Sequence, residues 1–219
     1  MEKLLKIKVL LALFMLSNTW LISQYSVGGG LSTTSSVGIS GTRWGGNIFF
    51  EKPRDEVNTL FIRGTLTIPK LDFSNTRFVN QIEFNPDYDQ TIQVDIFERT
   101  SFMSIDGSNR RYFYNTYEAG FGVYGGFNLR GIVSAKSKRP EDYDTDIYEE
   151  VDLDSKSYSF LYGAGVNGGV KFQLPYRGAV NLDFTLELIR PLFDQQNIFG
   201  QHISPLIFGM NLSYRFDWY

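Results

Sequence analysis

From residue 205 to the end of the chain, apolar and polar positions alternate with a period of two. Leu206, Phe208, Met210, Leu212, Tyr214, Phe216 and Trp218 fall on one side, and Gly209, Asn211, Ser213, Arg215 and Asp217 on the other. A helix would mix these sets, whereas successive side chains of a strand point to opposite faces. The preceding segment repeats the pattern, with Val180, Leu182, Phe184, Leu186 and Leu188 set against Asn181, Asp183, Thr185 and Glu187. A soluble sandwich could supply either strand alone. Their length and nearly unbroken apolar face favour lipid on that side.

Upstream, residues 157–174 gather Tyr158, Phe160, Tyr162, Ala164, Val166, Val170 and Phe172 on one parity. Within 111–134, Ala119, Phe121, Val123, Phe127, Leu129 and Val133 oppose Tyr124, Asn128 and Arg130. Further strands are predicted near 24–32, 42–51, 59–68 and 91–104, where glycines dilute the alternation in the first three. The count is eight, the smallest ordinary size for a closed transmembrane barrel. The pattern therefore predicts an all-β, eight-stranded antiparallel transmembrane β-barrel. No segment after residue 23 offers 18 consecutive apolar residues, so a helical membrane protein is disfavoured.

The connections alternate in length. Residues 53–56, 106–109 and 175–178 read as short turns, the second carrying Asp106-Gly107 and the third a proline and a glycine. The connections at 33–41, 69–90, 135–156 and 191–204 are longer. Such barrels have short periplasmic turns and longer external loops, so the long segments are expected outside.

The start of the chain reads as a separate element. Lys3, Lys6 and Lys8 precede an apolar run at 9–16, and cleavage is expected near Ser23. The domain organisation is thus an export signal at 1–23 and an outer-membrane barrel at 24–219. A retained membrane anchor is the alternative. Loss of Glu2 and the three lysines takes the formal charge from −3 to about −5, which excludes a basic nucleic-acid surface. The chain has 19 Phe, 13 Tyr, 21 Gly and no Cys, which excludes a disulfide scaffold and thiol chemistry.

Parity assigns Arg63, Arg130, Lys171 and Arg215 inward together with Asp95, Glu118, Asp183 and Glu187. Eight strands leave an interior that side chains can fill, and a mutually neutralising network suits such a space because isolated buried charges are costly. A filled interior is favoured over a conducting pore. The glycine pairs and triplets, such as Gly28-Gly29-Gly30 and Gly125-Gly126, lack a downstream Lys-Ser/Thr pair and so make no phosphate loop. They are read as sites of strand curvature and close packing.

The run Ala119-Gly-Phe-Gly-Val-Tyr-Gly-Gly-Phe-Asn-Leu-Arg-Gly-Ile-Val-Ser-Ala-Lys136 resembles the outer-membrane β-barrel domain family common in Bacteroidetes. That group includes small porin-like proteins and an accessory protein of type IX secretion. A strand like Leu161-Tyr-Gly-Ala-Gly-Val166 follows the external loop in such proteins. The terminal Gly209-Met-Asn-Leu-Ser-Tyr-Arg-Phe216 is similar to the pattern read by outer-membrane assembly machinery, although Asp217-Trp218-Tyr219 extends it. The resemblance runs from about Ala119 to the end and implies architecture, outer-membrane lipid as surroundings and the assembly machinery as a partner during insertion. It supplies no catalytic residues.

Candidate chemistry is sparse. His202 is the single histidine, two residues from Ser204. Adjacency of His and Ser does not make a triad, and no orienting carboxylate is specified; a solvated loop histidine is the plainer reading and no enzyme is expected. Between 141 and 154 lie Glu141, Asp142, Asp144, Asp146, Glu149, Glu150, Asp152 and Asp154, with Tyr143 and Tyr148 among them. This segment lacks the spacing and turn glycine of an EF-hand, so no metal or other cofactor is expected. The acids and tyrosines are the candidate contact surface for a protein partner. The function expected is a structural or accessory barrel presenting its loops, with a narrow passive pore for ions or very small solutes as the alternative.

Overall fold

A computed structural model describes residues 25–36, 41–153, 156–175, 178–192 and 205–218. Nine strands follow in order: β1 (Tyr25–Ser36), β2 (Thr42–Pro53), β3 (Asn58–Thr67), β4 (Lys70–Asn80), β5 (Thr91–Tyr114), β6 (Phe121–Pro140), β7 (Ser157–Leu174), β8 (Gly178–Pro191) and β9 (Leu206–Trp218). All pairings are antiparallel. The first strand pairs with the last, and β3 pairs with β5, so β1, β2, β3, β5, β6, β7, β8 and β9 return on themselves as a ring. The expected count of eight becomes nine through β4.

That ninth strand has a local cause. β3 and β4 both run along β5, with Leu66 opposite Met103 and Lys70 opposite Thr100. The register slips by one residue across Ile68-Pro69, where proline can give no ladder hydrogen bond and the Ile68 amide turns instead to the Trp44 carbonyl at 2.7 Å. What the sequence presents as an external loop at 69–90 is thus half strand.

A second correction concerns Asp106-Gly107. The expected turn at 106–109 is absent because β5 passes straight through it, paired with β3 on one side and β6 on the other. Asp106 points inward to two arginines, and those ion pairs with two flanking ladders override the local turn preference. The chain reverses later, at Asn115, whose φ of 61° lies in the left-handed region that Asn tolerates. Its side-chain amide donates to the Phe121 carbonyl at 2.8 Å and closes the turn. β1 also runs on to Ser36, beyond the expected end at 32. The segment 1–23 and the His202–Ser204 pair lie outside the described residues.

Side-chain burial is inverted relative to a water-soluble core. Ile48, Phe127 and Leu129 are 73%, 79% and 70% exposed on the outside, whereas Arg63, Lys171 and Glu187 are 2%, 0% and 1% exposed within. Aromatic side chains cluster on the outside near the short turns. Tyr25 stacks on Phe50 at 5.9 Å, and Phe121 lies between Tyr114 at 6.0 Å and Phe172 at 4.9 Å.

Candidate functional site

The interior is organised by a chain of charges of strictly alternating sign. Glu187 meets Arg130 at 2.8 Å, and Arg130 meets Asp106 at 3.3 Å. Asp106 takes both Nε and Nη2 of Arg63, at 3.2 and 3.1 Å. Arg63 reaches Asp183 at 3.8 Å, and Asp183 binds Arg110 at 2.6 Å. Arg110 reaches Glu51 at 3.7 Å, Glu51 reaches Arg215 at 3.6 Å, and Arg215 ends the series on Asp217 at 2.7 Å. Each interior acid but the terminal pair thus sits between two arginines, an arrangement that offsets the desolvation of ions taken out of water. Asp106 holds Arg63 by two parallel bonds, the fork geometry that lysine cannot supply.

Neutral partners complete the set. Thr59 donates to Glu51 at 2.8 Å, Tyr124 to Asp183 at 2.6 Å, and the Asn128 amide to Glu187. The Arg110 guanidinium lies 3.3 Å from the centre of the Phe61 ring and 4.6 Å from that of Tyr124. Lys171 donates to the Tyr117 carbonyl, and Arg215 lies 4.2 Å over the Tyr117 ring. Tyr112, Tyr117 and Tyr124 form a buried cluster at this end.

Toward the long-loop end the inward positions change character. Phe102, Ile132, Leu161, Ile189 and Ile207 pack together as an apolar collar. They continue the inward parity of Asp106 on β5, Arg130 on β6 and Glu187 on β8. Beyond the collar polar groups return, with Arg43 on Asp72 at 3.2 Å and Lys136 on Glu98 at 3.0 Å.

Of the eight residues assigned inward from sequence, Arg63, Arg130, Lys171, Asp183, Glu187 and Arg215 are buried within the ring, and all but Lys171 belong to the charge chain. Two do not. Asp95 lies between inward Val94 and Ile96, so its own side chain faces out and accepts from Thr76 at 2.7 Å. Glu118 is exposed in the turn between β5 and β6, because β5 ends at Tyr114 and breaks the parity that was carried through it. Sequence reasoning missed Glu51, Asp106, Arg110 and Asp217. Glu51 shares the parity of Asn47 and Phe49 along β2 and was legible there; Arg110 and Asp106 were hidden by the supposed turn.

The acidic segment is anchored on the upper half of the β4–β5 hairpin. Tyr148 is buried against Val79, Val94 and Ile96, with Tyr143, Ile147, Val151 and Leu153 packed around it. Backbone bonds fix its path: Ile82 donates to Ile147 at 2.9 Å, Glu149 to Asn80 at 3.0 Å, and Glu141 to Asp95 at 2.7 Å. The Tyr148 hydroxyl donates to the Asp89 carbonyl at 3.1 Å and the Tyr143 hydroxyl to that of Glu149 at 3.2 Å. The tyrosines expected to meet a partner are therefore used in packing, buried for Tyr148 and part-buried for Tyr143. Glu141, Asp142, Asp144, Asp146, Glu149, Glu150 and Asp152 remain exposed, and Asp154 lies outside the described residues. Among the described residues no group of three or more His, Asp or Glu is arranged to hold a metal ion.

No protein-family model and no curated protein matches the chain. Among solved structures it is similar to Neisserial surface protein A, at 13% identity over 89% of this chain and 96% of that one, with a TM-score of 0.53. It is also similar to Ail, the attachment invasion locus protein of Yersinia pestis, at 8% identity over 90% and 99% with a TM-score of 0.48. The N-terminal β-barrel domain of Pseudomonas aeruginosa OprF aligns at 10% identity over 88% and 97%, with a TM-score of 0.46. These comparisons single out no Bacteroidetes family. The likeness to the neisserial protein shows an all-β, antiparallel fold of the outer-membrane β-barrel kind.

Proposed function

We propose that the chain is an eight-stranded barrel of the outer membrane, with β4 as an extramembranous continuation of β3, and that it works as a non-enzymatic scaffold presenting its outer extension to a protein partner. Residues 1–23 act as its export signal. The apolar exterior suits lipid, and strands of 10 to 24 residues reach or exceed the 9–11 or so needed to cross it. Aromatic side chains near the short turns suit a membrane interface. The resemblance of 119–136 supports assignment to the Bacteroidetes barrel family as the finer reading.

One observation carries the functional choice. The charge chain crosses the interior and Phe102, Ile132, Leu161, Ile189 and Ile207 add an apolar collar on its β5–β9 side, which favours a distinctive surface on the outside. There the acidic segment is held in a defined shape on the hairpin, with its carboxylates directed to solvent. The test is crosslinking in intact cells, comparing the full chain with a deletion of 141–154 that still shows the heat-modifiable migration of a folded barrel. Loss of a specific crosslinked partner is expected; undiminished recovery overturns the assignment.

A passive pore is the second reading, and a specific feature favours it. Asn47, Asn181, Ser134 and Ser159 place buried polar atoms inside the ring without a partner among the described residues, as a hydrated path would. Planar-bilayer recordings separate the two: the scaffold reading predicts silence from folded protein, and a reproducible unitary conductance favours the pore.

A further inference from the structure

The outward residues of β5, β6 and β7 fall into rows fixed by register. Met103, Val133 and Phe160 stand opposite one another, and one step nearer the long loops come Ser101, Ala135 and Tyr158. The next row holds Arg99 opposite Ser137, with Lys156 directly before β7 on the same side of the chain. Arg139 follows opposite Phe97. The chain on either side of β6 therefore changes from apolar to hydroxyl-bearing to cationic within two steps, a rise of roughly 14 Å along a strand, while β6 between them passes from Val133 through Ala135 to Ser137.

These residues enclose a recess. Arg99, Ser101, Ser137, Lys156 and Tyr158 line a cavity of about 250 Å³ together with Pro69, Ala135 and Lys136. Arg99, Arg139 and Lys156 are exposed. Among the described residues none of the three has an ion-pair partner, whereas Lys136 alongside is taken up by inward Glu98 at 3.0 Å. Neighbouring strands are about 4.8 Å apart, so Arg99 and Lys156 flank Ser137 at roughly twice that spacing. Two cations around hydroxyl donors match the several oxygens of a phosphate.

We propose that this recess binds the phosphate of an anionic lipid headgroup in the outer leaflet. The proposal rests on the outer-membrane reading, which puts the long-loop end outside. Its apolar floor decides between a lipid and a free anion. Met103 and Phe160 are 53% and 49% exposed directly beneath the hydroxyl row, and acyl chains lying along them would hold the headgroup at the cationic row. Tyr158 stands in the row between the two and offers both an apolar ring and a hydroxyl. Basic side chains at a membrane surface each add to anionic-lipid affinity and are screened by salt.

The test uses the full mature chain, folded in detergent micelles and checked by heat-modifiable migration. Native mass spectrometry then measures binding of lipid A, of dephosphorylated lipid A and of inorganic phosphate. Lipid A is expected to bind in preference to its dephosphorylated form. The R99Q/K156Q double variant should bind it about thirtyfold more weakly, and R54Q/R111Q, which changes two exposed arginines near the other end, should bind as the parent does. Equal binding by R99Q/K156Q and the parent overturns the site, as does equal binding of the phosphate-free lipid. Retention of inorganic phosphate without preference for lipid A overturns the lipid assignment. A chain that shows no heat-modifiable migration and fails to enter the outer-membrane fraction refutes the membrane reading itself, whereas an inserted barrel without phosphate preference refutes only this site.

Discussion

Arg110 on β5 and Asp183 on β8 meet at 2.6 Å across the interior, although their strands are not neighbours in the sheet and the residues are 73 positions apart. The pair ties two walls of the ring that β6 and β7 separate. Asp183→Asn removes the charge that faces Arg110 and Arg63 together and should lower unfolding stability by about 3–5 kcal/mol. Urea titration in lipid vesicles measures it. Adding Arg110→Met to that variant should recover part of the loss, because the second change removes a stranded cation. Strict additivity of the two changes would contradict the coupling.

Gly169 leaves room for Tyr124. A Cβ there would run into the Leu182 carbonyl and come within 2.8 Å of the Tyr124 hydroxyl, which holds Asp183. Gly169→Ala should therefore destabilise the fold by about 1–3 kcal/mol. Gly131→Ala is the matched comparison on β6, since among the described residues nothing lies within 4 Å of its added Cβ. Near-equal unfolding midpoints for the two variants would show that the close approach is not limiting.

Tyr148→Ala should release the acidic segment and leave the barrel intact. The ring is the buried centre of the outer apolar cluster, and truncating a buried aromatic costs about 3–5 kcal/mol. Limited proteolysis should then cut between 141 and 153, with heat-modifiable migration unchanged. Protection of that segment in the variant would mean that the backbone bonds from Ile147 and Glu149 suffice.

Asp55 gives a pH dependence at the short-turn end. The Asn58 side-chain amide, at 3.0 and 2.9 Å, and the amides of Val57 and Asn58, at 2.9 and 2.7 Å, hold its carboxyl below the usual carboxylate range. Because the folded group is the more acidic, its contribution is complete at neutral pH and disappears as pH falls through the folded value. NMR titration should place Asp55 below an unstructured aspartate. Asn58→Ala should move it back toward that reference, and an unmoved value would assign the shift to the backbone amides alone.

Much of the wall was legible because alternation with a period of two is a direct record of which face meets which surroundings. Leu206 to Phe216 and Val180 to Leu188 read correctly without any knowledge of their neighbours. The middle of the chain did not, and the reason is that Asp106-Gly107 is a strong local turn signal whose outcome depends on Arg63 and Arg130, distant in sequence. Once that turn was misplaced, Arg110 fell out of view and Glu118 was carried inward. Tyr148 was misread for a related reason: an aromatic among carboxylates looks available for contact until Val79, Val94 and Ile96 are brought beneath it.

β5 is 24 residues long, which at about 3.4 Å per residue spans roughly 80 Å. Tilted near 45° it rises about 55 Å, well beyond a hydrocarbon layer of about 30 Å. On the proposed membrane reading, a single strand thus runs from the outer hairpin, where it pairs with β4, down into the membrane wall, bonded to β6 from Ile96 to Tyr114. The outer hairpin is a strut and not a tether. A partner seated on the acidic segment would stand at a set height and orientation above the lipid, and force applied there would pass through the ladder into the membrane wall without first taking up slack.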